Sequence, residues 1–435
     1  MTTAAQAAQA QGIPDPIIER RGDDYWALWP AYLVRLRFAA IHERDNALRA
    51  ELTVYVDIPG APVPADWTNL DLASSTLRAT LANRLYEQWD GPKAPPWREL
   101  LKSASYEIRE RTRAGEPMQK IGGNQPIRET RYALYPILPE NQVSILYGDG
   151  ASLKSMIAMG IGLSVQEARA LLPGTNAGQV ATLSRTGPAI YLDFETNADE
   201  QHARMRRVAA GFGLSKFREM LYRESHTAIH RDAPNLRALV DEYDARLVIV
   251  DSLGAAIGAD PNDAQATIAT MSGLRSLRTT VLCIDHVTKT DDQGKPFGSA
   301  YKFNYARAAF HAKRVQEAGS DEVRVALIHT KANNGRLVAP LGFSVRFSET
   351  EDGPITIKHL DIRDDPELAQ HTTIGSRIEY ELRRGAMRAP DLKTAVMGKD
   401  DKIKSGSYDK TFGRLVKLGR VVALPSGEYG LSARQ

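Results

Sequence analysis

Four short apolar runs, Val143–Tyr147, Ala189–Phe194, Leu247–Val250 and Thr280–Ile284, constrain this chain more than anything else in it. None alternates with polar residues as a strand with one wet face does, so each is expected to lie buried on both faces of a parallel sheet. Between them, Lys154–Ala168, Asp199–Gly211, Ala233–Tyr243 and Ala264–Arg278 carry apolar residues at helical spacing. After Gly298 the pattern changes to longer strands, Ala308–Val315, Glu322–His329, Leu341–Phe347 and Ile355–His359, with hairpin turns at Gly319–Ser320 and Glu351–Gly353. The expected fold class is therefore α/β, a parallel sheet with an antiparallel extension.

The flanks are built differently. All five tryptophans (Trp26, Trp29, Trp67, Trp89, Trp97) fall in the first hundred of 435 residues. There Tyr32–Ala40 and Leu48–Asp57 read as strands joined by a His42–Asn46 turn, and Leu70–Trp89 and Trp97–Thr112 as helices separated by Gly91–Pro96. The expectation is a flexible N-terminus over 1–20, then a small α+β accessory domain over 21–117 without evident chemistry. The Ala/Gln-rich start has neither the basic residues nor the apolar middle of a signal peptide. The α/β core is expected over 118–362 and a polar linker over 363–373. Residues 374–435 carry thirteen Lys/Arg against seven Asp/Glu, whereas the whole chain is only +3. That module reads as helices Ile374–Arg383, Ala389–Met397 and Ser405–Leu418, the last with Tyr408, Phe412, Leu415 and Val416 on an apolar face, followed by a strand–turn–strand tail. Three helices and a hairpin resemble a winged helix, whose third helix would present Lys404, Ser405, Ser407, Lys410 and Arg414 to DNA; a protein-contact module is the other reading.

Composition excludes several classes. Hydrophobic content of 43% and charged content of 25% exclude disorder as the main state. A single cysteine, Cys283, excludes a disulfide framework and a Cys-based zinc site and suits a reducing, cytoplasmic setting. No apolar stretch approaches the ~20 residues of a membrane span.

The chemistry concentrates where strands meet helices. Gly148, Asp149, Gly150, Ala151, Ser152, Leu153, Lys154 and Ser155 follow the first strand and open the first helix, the setting of a phosphate-binding loop. Small residues there let backbone N–H groups approach a polyphosphate, Lys154 reaches the β- and γ-phosphates, and the Ser155 hydroxyl can ligate Mg²⁺. Leu153 stands where the pattern has its last glycine, which requires backbone angles that tolerate a Cβ. Asp251 ends the Leu247–Val250 strand and can hold the metal from the other side. Glu195, at the end of Ala189–Phe194, the strand next after the phosphate loop, can act as general base. Asp193 shares its strand face as a rival, and capping of the following helix is a third reading of Glu195. His286, after Thr280–Ile284, is either a γ-phosphate sensor or a satisfied histidine. Lys289, Lys295, Lys302 and Arg307, around the polar Asp291–Lys295 loop, form either a basic surface for nucleic acid or scattered solvated charges.

Together the loop, Glu195, Asp251, the Ile284–Lys289 turn and the antiparallel tail resemble the RecA-like ATPases, and within them the RepA/DnaB-like hexameric helicases, over roughly residues 118–362. The resemblance implies ATP and Mg²⁺ as ligands, with Lys154 and Ser155 on phosphate and metal, Asp251 on the metal, Glu195 on the water and His286 coupling to DNA. It also implies basic residues late in a strand that reach a neighbouring subunit's ATP; Lys331 and Arg336 stand there, with Asn333 in place of the usual basic residue. The implied partners are single-stranded DNA at the motor, duplex DNA at the winged helix and further copies of the chain, a hexamer. The implied activity is a replicative helicase of a plasmid, phage or similar element. A DNA-binding ATP switch without unwinding and a non-hydrolysing DNA-binding protein are the alternatives.

Overall fold

The computed structural model describes residues 13–21, 24–44, 47–58, 61–89, 93–115, 118, 120–123, 130–176, 187–287, 296–369, 373–398 and 405–432. The chain divides into two compact units, Met1–Arg128 and Glu129–Gln435.

In the first unit β1 (Ile17–Arg21), β2 (Asp24–Trp29), β3 (Val34–Arg44), β4 (Ala47–Ile58) and β5 (Ala61–Asp71) form an antiparallel sheet in sequence order. One face packs against α1 (Ser75–Glu87) and α2 (Trp97–Ala114), with Trp29, Leu36, Phe38 and Leu52 meeting Leu81 and Trp97. Two expectations need correction. Leu70 belongs to β5, and the helix begins only after Ser74, whose hydroxyl accepts the Leu77 amide at 3.2 Å and so marks the start. His42–Arg44 are strand, with residues 45–46 outside the described set. The short strands β1 and β2, and the proline-bearing edge strand β5, were not legible by alternation.

The second unit opens with a small pair, β6 (Tyr132–Leu134) and β7 (Leu138–Pro139). There follow β8 (Val143–Gly148), α3 (Lys154–Gln166), β9 (Ala189–Asp193), α4 (Ala198–Gly211), β10 (Leu221–Glu224), α5 (Ile229–Glu242), β11 (Leu247–Asp251), α6 (Leu253–Ala256), α7 (Ala264–Ser276) and β12 (Thr280–His286). Then come α8 (Ala300–Tyr305), β13 (Ala308–Val315), β14 (Glu322–Ala332), β15 (Leu341–Phe347) and β16 (Ile355–His359). These strands make one nine-stranded sheet in the order β10-β9-β11-β12-β8-β13-β14-β15-β16. It is parallel from β10 to β13 and antiparallel beyond. Successive residues feed opposite cores: Leu146 and Ile249 join one cluster, Tyr147 and Val250 the other. That two-sided burial explains why the strands read as unbroken apolar runs. Edge strand β10, four residues of Leu-Tyr-Arg-Glu, carries no such signal.

The expected linker is partly docked. Within it α9 (Pro366–Ala369) buries Leu368, and the Asp365 carboxylate meets the Arg324 guanidinium at 2.7 Å. The chain ends with α10 (Ile374–Arg384), α11 (Ala389–Met397), α12 (Ser405–Lys417) and the hairpin of β17 (Val421–Ala423) and β18 (Tyr429–Leu431) around Ile378, Leu392, Tyr408 and Leu415. Val416, expected on the apolar face, is exposed. Among the described residues no helix is long and apolar enough to cross a membrane.

Candidate active site

β8 delivers Gly148 to the C-terminal edge of the sheet, and the chain turns through 149–153 into α3. Gly148 has to be glycine: a Cβ there would lie 2.5 Å from the Ala312 carbonyl oxygen on neighbouring β13. Leu153 adopts φ 62° and ψ 22°, and Ala151 has φ 57°, both in the left-handed region where L-residues are disfavoured. The departure from glycine at Leu153 is thus a strained one, held in place by packing of its half-buried side chain against the core. The loop is further pinned by Ser152 Oγ donating to Asp149 O at 2.7 Å and by Arg314 Nη1 donating to Ala151 O at 2.8 Å.

Lys154 is buried, and its Nζ donates to Gly148 O (3.0 Å), Asp149 O (2.7 Å) and Ser152 Oγ (3.2 Å). Burial pushes its pKa down, and the carboxylates of Asp251, Glu195, Asp149 and Asp285 oppose the shift. An ammonium inside a ring of oxygens at a helix N-terminus is well placed for phosphate oxygens to replace them.

Asp251 ends β11 with its carboxylate buried, accepting the Tyr191 hydroxyl at 2.6 Å and a hydrogen bond from Ser155. Burial raises its pKa despite both hydroxyls. A buried carboxylate beside a hydroxyl, with its charge unfavourable where it stands, fits a hard divalent cation. The residues therefore suit Mg²⁺.

Glu195 lies two residues beyond β9, in a bend. His286, the last residue of β12, places Nε2 3.5 Å from Glu195 Oε1. That contact, with a hydrogen bond from Ser252, holds the Glu195 carboxyl below its usual range against the opposing effect of burial. Helix capping falls instead to Asn197, whose Oδ1 accepts the Glu200 amide at 3.0 Å. The rival Asp193 is fully buried and occupied. It accepts the amides of Glu195 and Thr196 at 2.9 Å, the Thr196 hydroxyl at 2.6 Å, Gln201 Nε2 at 2.8 Å and the Tyr222 hydroxyl at 3.3 Å. Burial pushes its pKa up, but these donors outweigh burial and hold it low, while Tyr222 is itself pushed up to about 12. Asp193 is the clamp that fixes the corner carrying Glu195.

Lys154, Ser155, Glu195, Asp251 and His286 line one cavity of about 240 Å³, together with residues 151–153. Sequence reasoning missed Arg204 on α4, which lines the same cavity and is ion-paired with Glu200. It also missed Tyr191, although that residue shares the face of Asp193 by the period of two.

Lys331 and Arg336 do not line this cavity. Lys331 Nζ donates to Phe303 O (2.6 Å) and Asn304 O (2.8 Å) at the end of α8, and Arg336 is exposed on the segment after β14. Of the expected basic surface, Arg307 is exposed, whereas Lys289, Lys295 and Lys404 lie outside the described residues. Lys302 contradicts the expectation: it is fully buried and bonded to Asp285 Oδ2 at 3.0 Å, because a carboxylate inside β12 needs a countercharge. On α12, Ser405, Ser407, Lys410 and Arg414 are exposed.

Residues 109–292 match the family described as an AAA domain, a span that takes in the loop, Glu195, Asp251 and His286. No curated protein matches the chain. Among solved structures, a KaiC-like protein of the hyperthermophilic archaeon Pyrococcus horikoshii is similar, with 11% identity, a TM-score of 0.37, and coverage of 54% of this chain and 100% of that one. The flagellar accessory protein FlaH of Methanocaldococcus jannaschii is similar at 13% identity and a TM-score of 0.34, with 51% and 92% covered. The matched segment carries the strand-to-helix loop on a mixed α/β fold whose central sheet is largely parallel.

Proposed function

We propose that the chain is an oligomeric ATPase that hydrolyses ATP and works on DNA, most specifically a RepA/DnaB-like helicase serving a plasmid, phage or similar element. The observation that carries this reading is the convergence of Lys154, Ser155, Asp251, Glu195 and His286 on one cavity at the C-terminal ends of β8, β9, β11 and β12, where open α/β sheets bind their ligands. Lys154 and the amides opening α3 hold the phosphates, and Ser155 and Asp251 hold Mg²⁺. Mg²⁺, when bound, neutralises phosphate charge. Glu195 is a carboxylate whose pKa His286 and Ser252 hold down against burial, so it can orient a water and take its proton. His286, in contact with Glu195, is placed to register the state of the phosphates and pass it toward DNA. Lys331 and Arg336 act on a neighbouring subunit's ATP in this reading, Lys331 exchanging its two carbonyl partners for phosphate oxygens.

Single-stranded DNA would run past the motor near Arg307. Duplex DNA would meet the winged-helix module through Ser405, Ser407, Lys410 and Arg414, in the segment with thirteen basic against seven acidic residues. The strained Leu153 favours a second reading, a DNA-binding switch that turns ATP over slowly and does not unwind.

ATP turnover with and without single-stranded DNA, alongside native mass, tests the first reading. DNA-stimulated turnover by an oligomer is expected, and it should vanish in Lys154→Ala. No turnover in the wild type, or wild-type rates in Lys154→Ala, would refute the assignment. Strand displacement separates helicase from switch. Lys410→Glu/Arg414→Glu should weaken duplex binding and lower its salt slope by about two; an unchanged slope would remove the module from the DNA interface.

A further inference from the structure

Among the described residues, the Asp285–Lys302 ion pair is the most enclosed charge pair near the cavity, with side chains 1% and 0% exposed and Nζ 3.0 Å from Oδ2. Burying two charges is expensive even when they meet, and apolar residues of similar volume in such places are often neutral or stabilising. Stability alone is therefore a weak reason for the pair.

Its position supplies a better one. Asp285 directly precedes His286, the residue in contact with Glu195. Its two carboxylate oxygens face different elements: Oδ1 accepts the His286 amide at 3.0 Å, while Oδ2 accepts Lys302 on α8. On the far side, the His286 carbonyl accepts the Phe297 amide at 2.7 Å, just ahead of α8. A single carboxylate thus fixes the backbone that carries His286 to the helix that follows it in the chain. The next residues of that helix, Phe303 and Asn304, give their carbonyls to Lys331, whose ammonium also lies 5.2 Å from the Phe303 ring centre. A run of contacts joins Glu195, His286, Asp285, Lys302, α8 and Lys331 with no solvent-exposed joint at the ion pair.

We infer that the Asp285–Lys302 pair positions His286 against Glu195, which makes Lys302 a positioning residue for hydrolysis. The inference rests on the reading of Glu195 as the base. Misplacing a catalytic contact by a fraction of an ångström slows turnover without weakening ligand binding, because the phosphates are held elsewhere, by Lys154 and the loop amides.

The test uses the full-length chain as wild type, Lys302→Met, Asp285→Leu and the double variant Asp285→Leu/Lys302→Met. Thermal midpoint, kcat and KM for ATP, and the His286 ring resonances by NMR are measured. Each single variant strands one buried charge and should melt several degrees lower. The double variant should recover the midpoint, yet keep kcat about 10-fold or more below wild type with KM within about 3-fold, and its His286 resonances should be displaced. A structural pair predicts the opposite: restored stability brings restored turnover, and that result overturns the inference. If the wild type hydrolyses no ATP, the proposed function fails by itself, and unchanged His286 resonances in the double variant would still refute the joint.

Discussion

Leu153 offers the sharpest test of the loop. Its left-handed backbone, φ 62° and ψ 22°, costs an L-residue ~1–2 kcal/mol that glycine does not incur. Its half-buried side chain returns roughly 1 kcal/mol, since complete burial of a leucine is worth ~1.5–3 kcal/mol. Leu153→Ala removes the packing and keeps the strain, so it should lose about 1 kcal/mol. Leu153→Gly loses the same packing and ~0.5–1 kcal/mol through unfolded-chain entropy, but sheds the strain. Glycine should therefore be more stable than alanine by roughly 0.5–1 kcal/mol, the reverse of their order in a helix interior. All five tryptophans belong to the N-terminal unit, so tryptophan emission follows that unit alone. Unfolding of the second unit is read by far-ultraviolet circular dichroism in a urea titration, where the two variants should differ by a clear shift in midpoint. Equal stability, or alanine above glycine, would show that the loop does not hold Leu153 in the left-handed region, and the account of the missing glycine would fall.

Three further outcomes follow from the same geometry. Glu195→Gln should leave ATP affinity intact and lower kcat by ~10²–10⁴-fold; an effect on KM alone would make Glu195 a binding group. Because His286 and Ser252 depress its pKa, Glu195 stays ionised from neutral pH down through the ordinary carboxylate value of 4.5 and is protonated only below it. The acid limb of kcat assigned to it should lie below that value, and a limb above it would contradict the assignment. Gly148→Ala should destabilise the second unit by ~1–3 kcal/mol, since its Cβ would press on the Ala312 carbonyl, and unchanged stability would refute that contact. Asp193→Ala should cost about 3 kcal/mol by orphaning the donors that converge on it, and a loss of activity at full stability would instead return Asp193 to candidacy as the base.

The sequence by itself determined the class of fold and the chemistry of the loop. Strands buried on both faces run apolar, helices between them repeat at their own period, and a glycine-rich strand-to-helix turn ending in Lys154–Ser155 has one obvious use. Asp251 and Glu195 were legible for the same reason, because each follows a readable strand. What the tertiary structure decided was everything that depends on a partner distant in sequence. Asp193 and Glu195 share a strand face; only the convergence of Gln201, Thr196 and Tyr222 shows which is clamped and which faces the cavity. Lys302 reads as part of a basic surface, or as one more solvated lysine, until Asp285, seventeen residues before it, is found against it in the core. Whether Leu153 fits its loop turned on a backbone angle, φ 62°, and on the packing of its side chain against the core. One-dimensional periodicity reports which residues are buried; it carries no record of which buried groups face each other, and in this site that pairing separates the carboxylate that faces the cavity from the one that is clamped.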